Sequence, residues 1–418
     1  MGINKKGMIK MKRSVLLGIT MMLLLTLPAA SSDYTLDIFG NANEDDTINM
    51  QDVTYTELII LEYRDRTDLA DAKYDGKINM QDVTQIELVI LGKEKELTVL
   101  DSADRIVTVK KPVERIISLS SGCAEAIKAI GAKDQVVARN RDMDGVFFPE
   151  LSKLSSVGSF FNPDYEKILE LQPDIVTSYS AMTLEEKLEP AGIAVVCLHC
   201  YRPDKVEEEI KTLGYILDKR DGAEKFIDFF QSYLITINER VEGLSEEDMT
   251  QVYFEGYGDY STCGKGSQEY QMTTMAGSIN IAADLPGAGI SGGVVDPEWL
   301  IEQNPAIIIK MAPRDLSCGY DEDNPAEMKA KREDIMSRPG FDRISAVKND
   351  KVHLIARDII PHPAFFVGVT YMAQWFYPEL FEDMDPQAIH QEYLTEFQGL
   401  DYDLNEHGVF VYPRLGEV

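Results

Sequence analysis

The sequence predicts an α/β protein of two α/β lobes joined by one long helix, with a small all-α domain of paired loop-helix units in front. Three observations predict it. The segments Asn41–Asp52 and Asp71–Asp82 repeat one polar loop pattern, each running into the same helical spacing. From about residue 97, short apolar runs alternate with amphipathic stretches, as in a parallel sheet covered by helices. Between the two halves of that alternation, residues 221–245 hold a sustained three- and four-residue apolar spacing.

Residues 1–31 carry Lys5, Lys6, Lys10, Lys12 and Arg13, then an uncharged apolar run from Ser14 to Ala30 that closes on small residues. That is signal-peptide order and predicts export, to the cell surface or the medium, with cleavage near Ala30. The run is slightly short of the ~20 residues that span a bilayer, so an uncleaved anchor is the alternative. No cysteine lies near it for a lipid anchor. Loss of five basic residues with the leader moves the formal charge from −30 to −35, and a field of that sign repels phosphate backbones, which excludes nucleic acid as a partner. Five cysteines spread from Cys123 to Cys318 make no disulfide framework, although one pair could form outside the cell. Cys197-Leu-His-Cys200 ends the apolar run Ile193–Leu198 and reads as buried-strand packing, with His199 a minor ligand candidate.

In the repeated loops, positions 1, 3, 5, 7, 9 and 12 offer the oxygens that a Ca²⁺ ion takes at ~2.3–2.6 Å, the seventh through its main-chain carbonyl. Loop one supplies Asn41, Asn43, Asp45, Thr47, Asn49 and Asp52, and loop two Asp71, Asp75, Lys77, Asn79 and Asp82. Lys73 stands where the third ligand of loop two belongs, and Asp46 where loop one wants the turn glycine that Gly76 provides in loop two. At least one loop is expected to bind. Residues 35–92 resemble a dockerin, a resemblance that implies calcium as a structural cofactor and a cohesin-type domain as partner.

The alternation begins with strand Ile116–Leu119 and helix Ala124–Ile130, then Val136–Ala138, helix Tyr165–Leu171 into Asp174–Thr177, and helix Leu184–Ala191 into Ile193–Leu198. These form lobe one, about 97–220. Phe226, Phe229, Phe230, Tyr233, Ile237, Val241 and Leu244 mark the linking helix, about 221–245. A second series, from Gln251–Phe254 through Ala306–Ile309 and Val352–Ile355 to Val367–Phe376, forms lobe two, about 250–375, with a C-terminal helix and tail over 376–418. Arg115-Ile-Ile-Ser-Leu-Ser120, Ile168-Leu-Glu-Leu-Gln-Pro-Asp174, Gly264-Lys-Gly-Ser267, Ala276-Gly-Ser-Ile-Asn280, Asp296-Pro-Glu-Trp-Leu-Ile-Glu-Gln-Asn-Pro305 and Trp375-Phe-Tyr-Pro-Glu-Leu-Phe381 follow one another in an order that resembles the helix-linked (class III) substrate-binding proteins of ABC importers. The resemblance covers residues 97–413. It implies a carrier of iron-siderophore, haem or cobalamin cargo that works with importer membrane subunits, an iron chelate being the first expectation, haem or cobalamin the second, and a scaffold role without transport the third.

In open α/β sheets ligands gather beyond the carboxyl ends of strands. Ser120, Ser121, Arg139, Arg141, Tyr179, His199 and Tyr201 stand there in lobe one, and Tyr257, Tyr260, Arg357 and His362 in lobe two. Guanidinium forks and phenols suit an anionic or aromatic metal chelate. Of Arg139 and Arg141, which flank one turn, one is expected to face the cleft. Ile360-Pro-His-Pro363 replaces the family's Gly-Pro-Arg-like turn and points to coordination by His362. The resemblance also implies that Glu166 and Glu298 dock into importer arginines, and a linking helix implies only slight lobe closure. Gly289-Ile-Ser291-Gly-Gly293 matches a nucleophile elbow, but its flanks lack the strand and helix that the motif needs, so the chain reads as a binding protein and not an enzyme.

Overall fold

Each of the first two helices, α1 (Met50–Ile60) and α2 (Met80–Ile90), opens with the same reciprocal cap. Asn49 and Asn79 accept from the amides of Gln51 and Gln81, while Asp52 and Asp82 accept at 2.8 Å from the amides of the two asparagines. The computed structural model that shows this describes residues 34–143, 145–181, 183–285 and 292–416. The leader and Ser291 lie outside them. No helix among the described residues is long and apolar enough to cross a membrane.

The loop-helix module is joined firmly to lobe one. Ile38 bridges Val99 in β1 (Glu96–Leu100), which pairs antiparallel with β2 (Ile106–Lys110). Leu36, Ile38, Ile48 and Val89 share one buried core with Val99, Ile127 and Phe226. Polar clasps complete the joint: Lys211 pairs with Asp46 at 2.7 Å, the Ile48 amide donates to the Tyr215 hydroxyl at 3.1 Å, and Arg220 donates to the carbonyls of Val89 (3.0 Å) and Ile90 (3.3 Å). The last contact satisfies carbonyls that a helix C-terminus leaves open.

Lobe one comprises β3 (Ile116–Ser118), α3 (Ser121–Ala129), β4 (Val136–Arg139), the hairpin β5 (Gly158–Ser159) and β6 (Asn162–Pro163), α4 (Tyr165–Leu171), β7 (Ile175–Ser178), α5 (Leu184–Leu188), β8 (Ala194–Cys197) and α6 (Val206–Ile216). Its sheet has the order β4-β3-β7-β8, all parallel. Ile117, Val176 and Val195 stand side by side on one face, and helices cover both faces, which is why these strands read as unbroken apolar runs. The linking helix α7 (Arg220–Val241) buries Ala223, Phe226, Ile227, Phe230, Leu234, Ile237 and Val241 and spans ~33 Å at 1.5 Å per residue.

Lobe two continues the chain with β9 (Thr250–Glu255), β10 (Ser261–Thr262), α8 (Gln268–Met275), β11 (Ser278–Asn280), β12 (Gly293–Val294), α9 (Pro297–Gln303), β13 (Ile307–Met311), α10 (Ala326–Met336), α11 (Ser345–Lys348), β14 (Val352–Ile355) and α12 (Phe365–Phe376). The chain beyond Phe376 does more than the expected helix and tail. After α13 (Pro386–Glu396) it returns as β15 (Val411–Tyr412), antiparallel to β14, and closes the five-stranded sheet β11-β9-β13-β14-β15. Burial of Val409, Phe410 and Val411 on that edge drives the return. Under β9 and β13, Lys310 is fully buried and donates to the carbonyls of Gly256 (2.7 Å) and Gly258 (2.8 Å), while Arg338 forks onto Glu255 at 2.7 and 3.0 Å.

Candidate ligand-binding cleft

A cavity of about 510 Å³ opens between the lobes. Its walls come from just past the carboxyl ends of seven of the parallel strands, where the loops leave side chains free of the sheet. From lobe one come Ser121 after β3, Asn140 and Asp142 after β4, Tyr179 after β7 and Tyr201 after β8, joined by Phe160 and Phe161 at the tip of the β5–β6 hairpin. The rings form a chain, with centroids 4.9 Å apart for Phe161 and Phe160, 5.6 Å for Phe160 and Tyr179, and 5.9 Å for Tyr179 and Tyr201, the edge-to-face contacts that aromatic quadrupoles favour. The Tyr179 hydroxyl lies 3.4 Å from that of Ser121. Phe161 remains 83% exposed, an apolar ring held out at the mouth.

Lobe two contributes Tyr257 after β9, Arg314 after β13, and Arg357, Asp358, Pro361 and His362 after β14. The Arg314 guanidinium sits 4.8 Å over the Tyr257 ring. His362 reaches across to lobe one, where its Nδ1 donates to Glu125 Oε2 at 2.7 Å. Glu125, on α3, is buried and also accepts at 2.5 Å from the Tyr393 hydroxyl of α13, itself an acceptor for Gln398 at 2.8 Å. Burial alone would lower the His362 pKa. The Glu125 carboxylate, with Asp358 in support and Arg357 opposing, overrides burial and holds it above its usual range. Burial raises the carboxyl of Asp358, whose Oδ2 has no partner among the described residues.

Of the residues expected in the site, Ser121, Tyr179, Tyr201, Tyr257, Arg357 and His362 share this cavity. Ser120 instead caps α3 by accepting from the Cys123 amide. Neither Arg139 nor Arg141 faces the cleft. The Arg139 guanidinium turns back onto the carbonyls of Ser152, Asn140 and Arg141, and Arg141 points to solvent beside Asp142. The intervening residue takes their place, because neighbours along an extended chain point to opposite sides. Tyr260 is packed away from the cavity under the Arg338 guanidinium, 4.4 Å from its ring centre, as part of the buried cluster around Glu255. His199 lies off the cavity wall, its Nδ1 3.5 Å from Glu209. Glu166 and Glu298 are exposed in the first turns of α4 and α9, helices of one design: an aspartate N-cap, seven residues, a left-handed C-cap and then a proline. Sequence reasoning missed Glu125, Asn140, Asp142, Phe160, Phe161, Arg314, Asp358 and Pro361.

The repeated N-terminal loops share their internal bonding. Asp52 accepts from the amides of Asn43 (3.2 Å) and Asn49, and Asp82 from those of Lys73 (3.1 Å) and Asn79. In loop one Asn41 is fully buried and its Oδ1 has no partner among the described residues. Loop two satisfies the equivalent Asp71 internally, through the amides of Asp75 and Gly76. Among the described residues no three His, Cys, Asp or Glu side chains gather as a metal site.

A family model described as periplasmic binding protein matches residues 116–358. The chain belongs to that family. The match runs from β3 past β14, taking in α7 and most of both lobes, and leaves out the N-terminal module, β1 and β2, and α12, α13 and β15. Compared with other periplasmic binding proteins, the chain is 26% identical over 297 residues to an uncharacterised ABC transporter substrate-binding lipoprotein, YvrC, of Bacillus subtilis, across 69% of this chain and 87% of that one. It is 25% identical over 204 residues to a vitamin B12-binding protein of Pectobacterium carotovorum, across 48% and 72%. The solved TroA-like periplasmic binding protein FepB of Veillonella parvula matches with a TM-score of 0.62 at 22% identity, over 75% of this chain and 98% of that one. Molybdate-bound MolA of Haemophilus influenzae gives 0.59 at 20% identity, over 73% and 99%. At such identities these likenesses establish the fold.

Proposed function

We propose that the protein is the extracytoplasmic solute-binding component of an ABC importer and captures an anionic metal chelate with aromatic donors, of the ferric siderophore kind. The observation that carries this reading is that one cavity sets an aromatic chain from lobe one against a cationic set from lobe two, Arg314, Arg357 and the carboxylate-anchored His362, with Asp142 and Asp358 the acidic residues of the lining. Guanidinium and imidazolium donors meet chelate oxygens while the rings stack on catechol-like planes. The cavity is far larger than a tetrahedral oxyanion such as molybdate needs, and within the range of drug-sized ligands. The relatives named for vitamin B12 support cobalamin as the second reading. Glu166 and Glu298 are read as the docking pair for the membrane subunits, one per lobe at matching helix starts.

Within this proposal residues 35–92 form a calcium-dependent dockerin-like module that fastens the carrier to a cohesin-type partner. Loop one supports calcium through the buried Asn41 Oδ1, an acceptor that no protein group satisfies among the described residues. Asn43, Asp45, Asn49 and Asp52 and the Thr47 carbonyl would join it. Bound calcium would neutralise the loop and cross-link its turns.

Titration of the purified protein with ferric dihydroxybenzoate, haemin and cyanocobalamin, followed by tryptophan quenching and visible spectra, tests the cargo. Ferric dihydroxybenzoate is expected to bind most tightly. Preference for cyanocobalamin selects the second reading, and no binding of any of the three removes both. For the module, a calcium chelator is expected to lower the melting temperature of the full chain and added calcium to restore it; an unchanged melt removes calcium from the proposal.

A further inference from the structure

The fold brings Cys123, in the first turn of α3, and Cys200, in the loop after β8, to an Sγ–Sγ separation of 3.6 Å. Both side chains are fully buried. The other three cysteines have different company: Cys197 lies 3.5 Å from an Arg105 nitrogen, and Cys263 and Cys318 belong to lobe two. The surroundings hold the facing pair from both sides. Cys123 donates to the Leu198 carbonyl at 3.1 Å, and Glu209 accepts from the amides of His199 (3.1 Å) and Cys200 (2.5 Å). Each cysteine stands behind a residue that lines the cleft, since Cys123 lies two places after Ser121 on α3 and Cys200 immediately precedes Tyr201.

We propose that Cys123 and Cys200 form a disulfide outside the cytoplasm, and that this bond fastens the Tyr201 loop to the helix that presents Ser121. The inference rests on the extracytoplasmic reading above, because thiols persist in reducing compartments. The sulfurs need only close from 3.6 Å to the ~2.05 Å of a bond. One thiolate attacks the disulfide of an oxidised dithiol catalyst and forms a mixed disulfide; the second thiolate then displaces the catalyst. Two S–H bonds and the catalyst's S–S bond break, one S–S bond forms between Cys123 and Cys200, and the two protons and two electrons end on the catalyst as its dithiol. Since both sulfurs are sealed in the finished fold, the exchange takes place while the loop is still open during folding, and the mature bond is shielded from small reductants.

The test uses the full chain exported into an oxidising periplasm and denatured in N-ethylmaleimide. The expected result is three of the five cysteines labelled by intact mass, all five after reduction, and a non-reduced digest containing one cross-linked peptide that joins Cys123 to Cys200. Five labels on the exported protein, or a cross-link through Cys197, Cys263 or Cys318, overturns the proposal. Cys123→Ser and Cys200→Ser should each expose the partner to label, and the wild-type map decides the matter even where a variant folds poorly. In the native protein, amide exchange at residues 199–201 should be several-fold slower in the oxidised than in the reduced form; equal rates remove the fastening role. No ligand is added, so a failure of the cargo reading leaves this result untouched.

Discussion

Lobe one and lobe two are both mainly parallel strand-helix layers, and they line the cleft with different chemistry. Lobe one faces the cleft mainly with rings, an amide and hydroxyls, Phe160, Phe161, Tyr179, Tyr201, Asn140 and Ser121, and with one acidic residue, Asp142. Lobe two faces it mainly with charge, Arg314, Arg357, His362 and Asp358, beside Tyr257 and Pro361. The supports beneath differ in the same sense. Glu209 holds the Tyr201 loop through main-chain amides, whereas the Tyr257 loop rests on the fully buried Lys310, paired with Glu255 at 3.0 Å. The difference teaches that a shared strand-end geometry specifies where a site lies and leaves its chemistry to a few loop residues, so each lobe can be altered with a separable effect.

The largest effect should come from the charged wall. Arg357→Ala and Arg314→Ala are each expected to weaken ferric chelate binding about 10- to 100-fold, since a hydrogen bond to a charged group is worth roughly 1.5–3 kcal/mol. Tyr201→Ala on the opposite wall removes edge-to-face contacts worth about 0.5–1.5 kcal/mol and should cost tenfold or less. Isothermal titration of the three variants decides; equal losses from both walls would abolish the distinction between the lobes.

A smaller effect should appear in the pH profile, where the lobes are coupled through His362 and Glu125. A group whose folded-state pKa is raised contributes while protonated, so its contribution is present at low pH and lost as pH rises through the raised value. Affinity for an anionic chelate should therefore fall on the alkaline side. In Glu125→Gln the main raising influence is gone while burial still depresses the imidazole, so the loss should begin at lower pH. Nitrogen-15 spectra of the histidine rings give the same shift without any ligand. If His362 ligates the metal through Nε2, the slope reverses, because protonation then competes with the metal and affinity falls in acid.

The smallest effect on binding belongs to the outer surface. Glu166→Ala with Glu298→Ala should leave chelate affinity unchanged and slow uptake through the reconstituted importer, exposed carboxylates contributing register and encounter rate more than energy. Normal uptake by the double variant would remove the docking assignment.

The strand-end rule, applied to the sequence alone, finds Ser121, Tyr179, Tyr201, Tyr257, Arg357 and His362, because each follows an apolar run that is legible locally. Applied consistently it would also have found Arg314, a few residues past the apolar run Ala306–Ile309 and two past Ala312. Alternation would have exchanged Arg139 and Arg141 for Asn140 and Asp142. The Phe160–Phe161 pair was legible too, as two large rings between Gly158 and Pro163 with no apolar run around them. Glu125 was not. It sits within a helix whose other face packs in the core, and its role depends on partners 237 and 268 positions away. The same holds for β15, a two-residue strand whose meaning comes entirely from the β14 edge it meets.

The joint between the N-terminal module and lobe one has a mechanical consequence. With the Ile38–Val99 bridge, the Lys211–Asp46 pair and the Arg220 clasp in place, no slack chain separates residues 35–92 from the cleft. A receptor on a flexible leash sweeps out a volume and finds its counterpart by rotational search. One that is mounted directly keeps a constant bearing. Whatever grips the module therefore also aims the mouth of the cleft, so the heading at which this carrier waits for its ligand is decided at its foot.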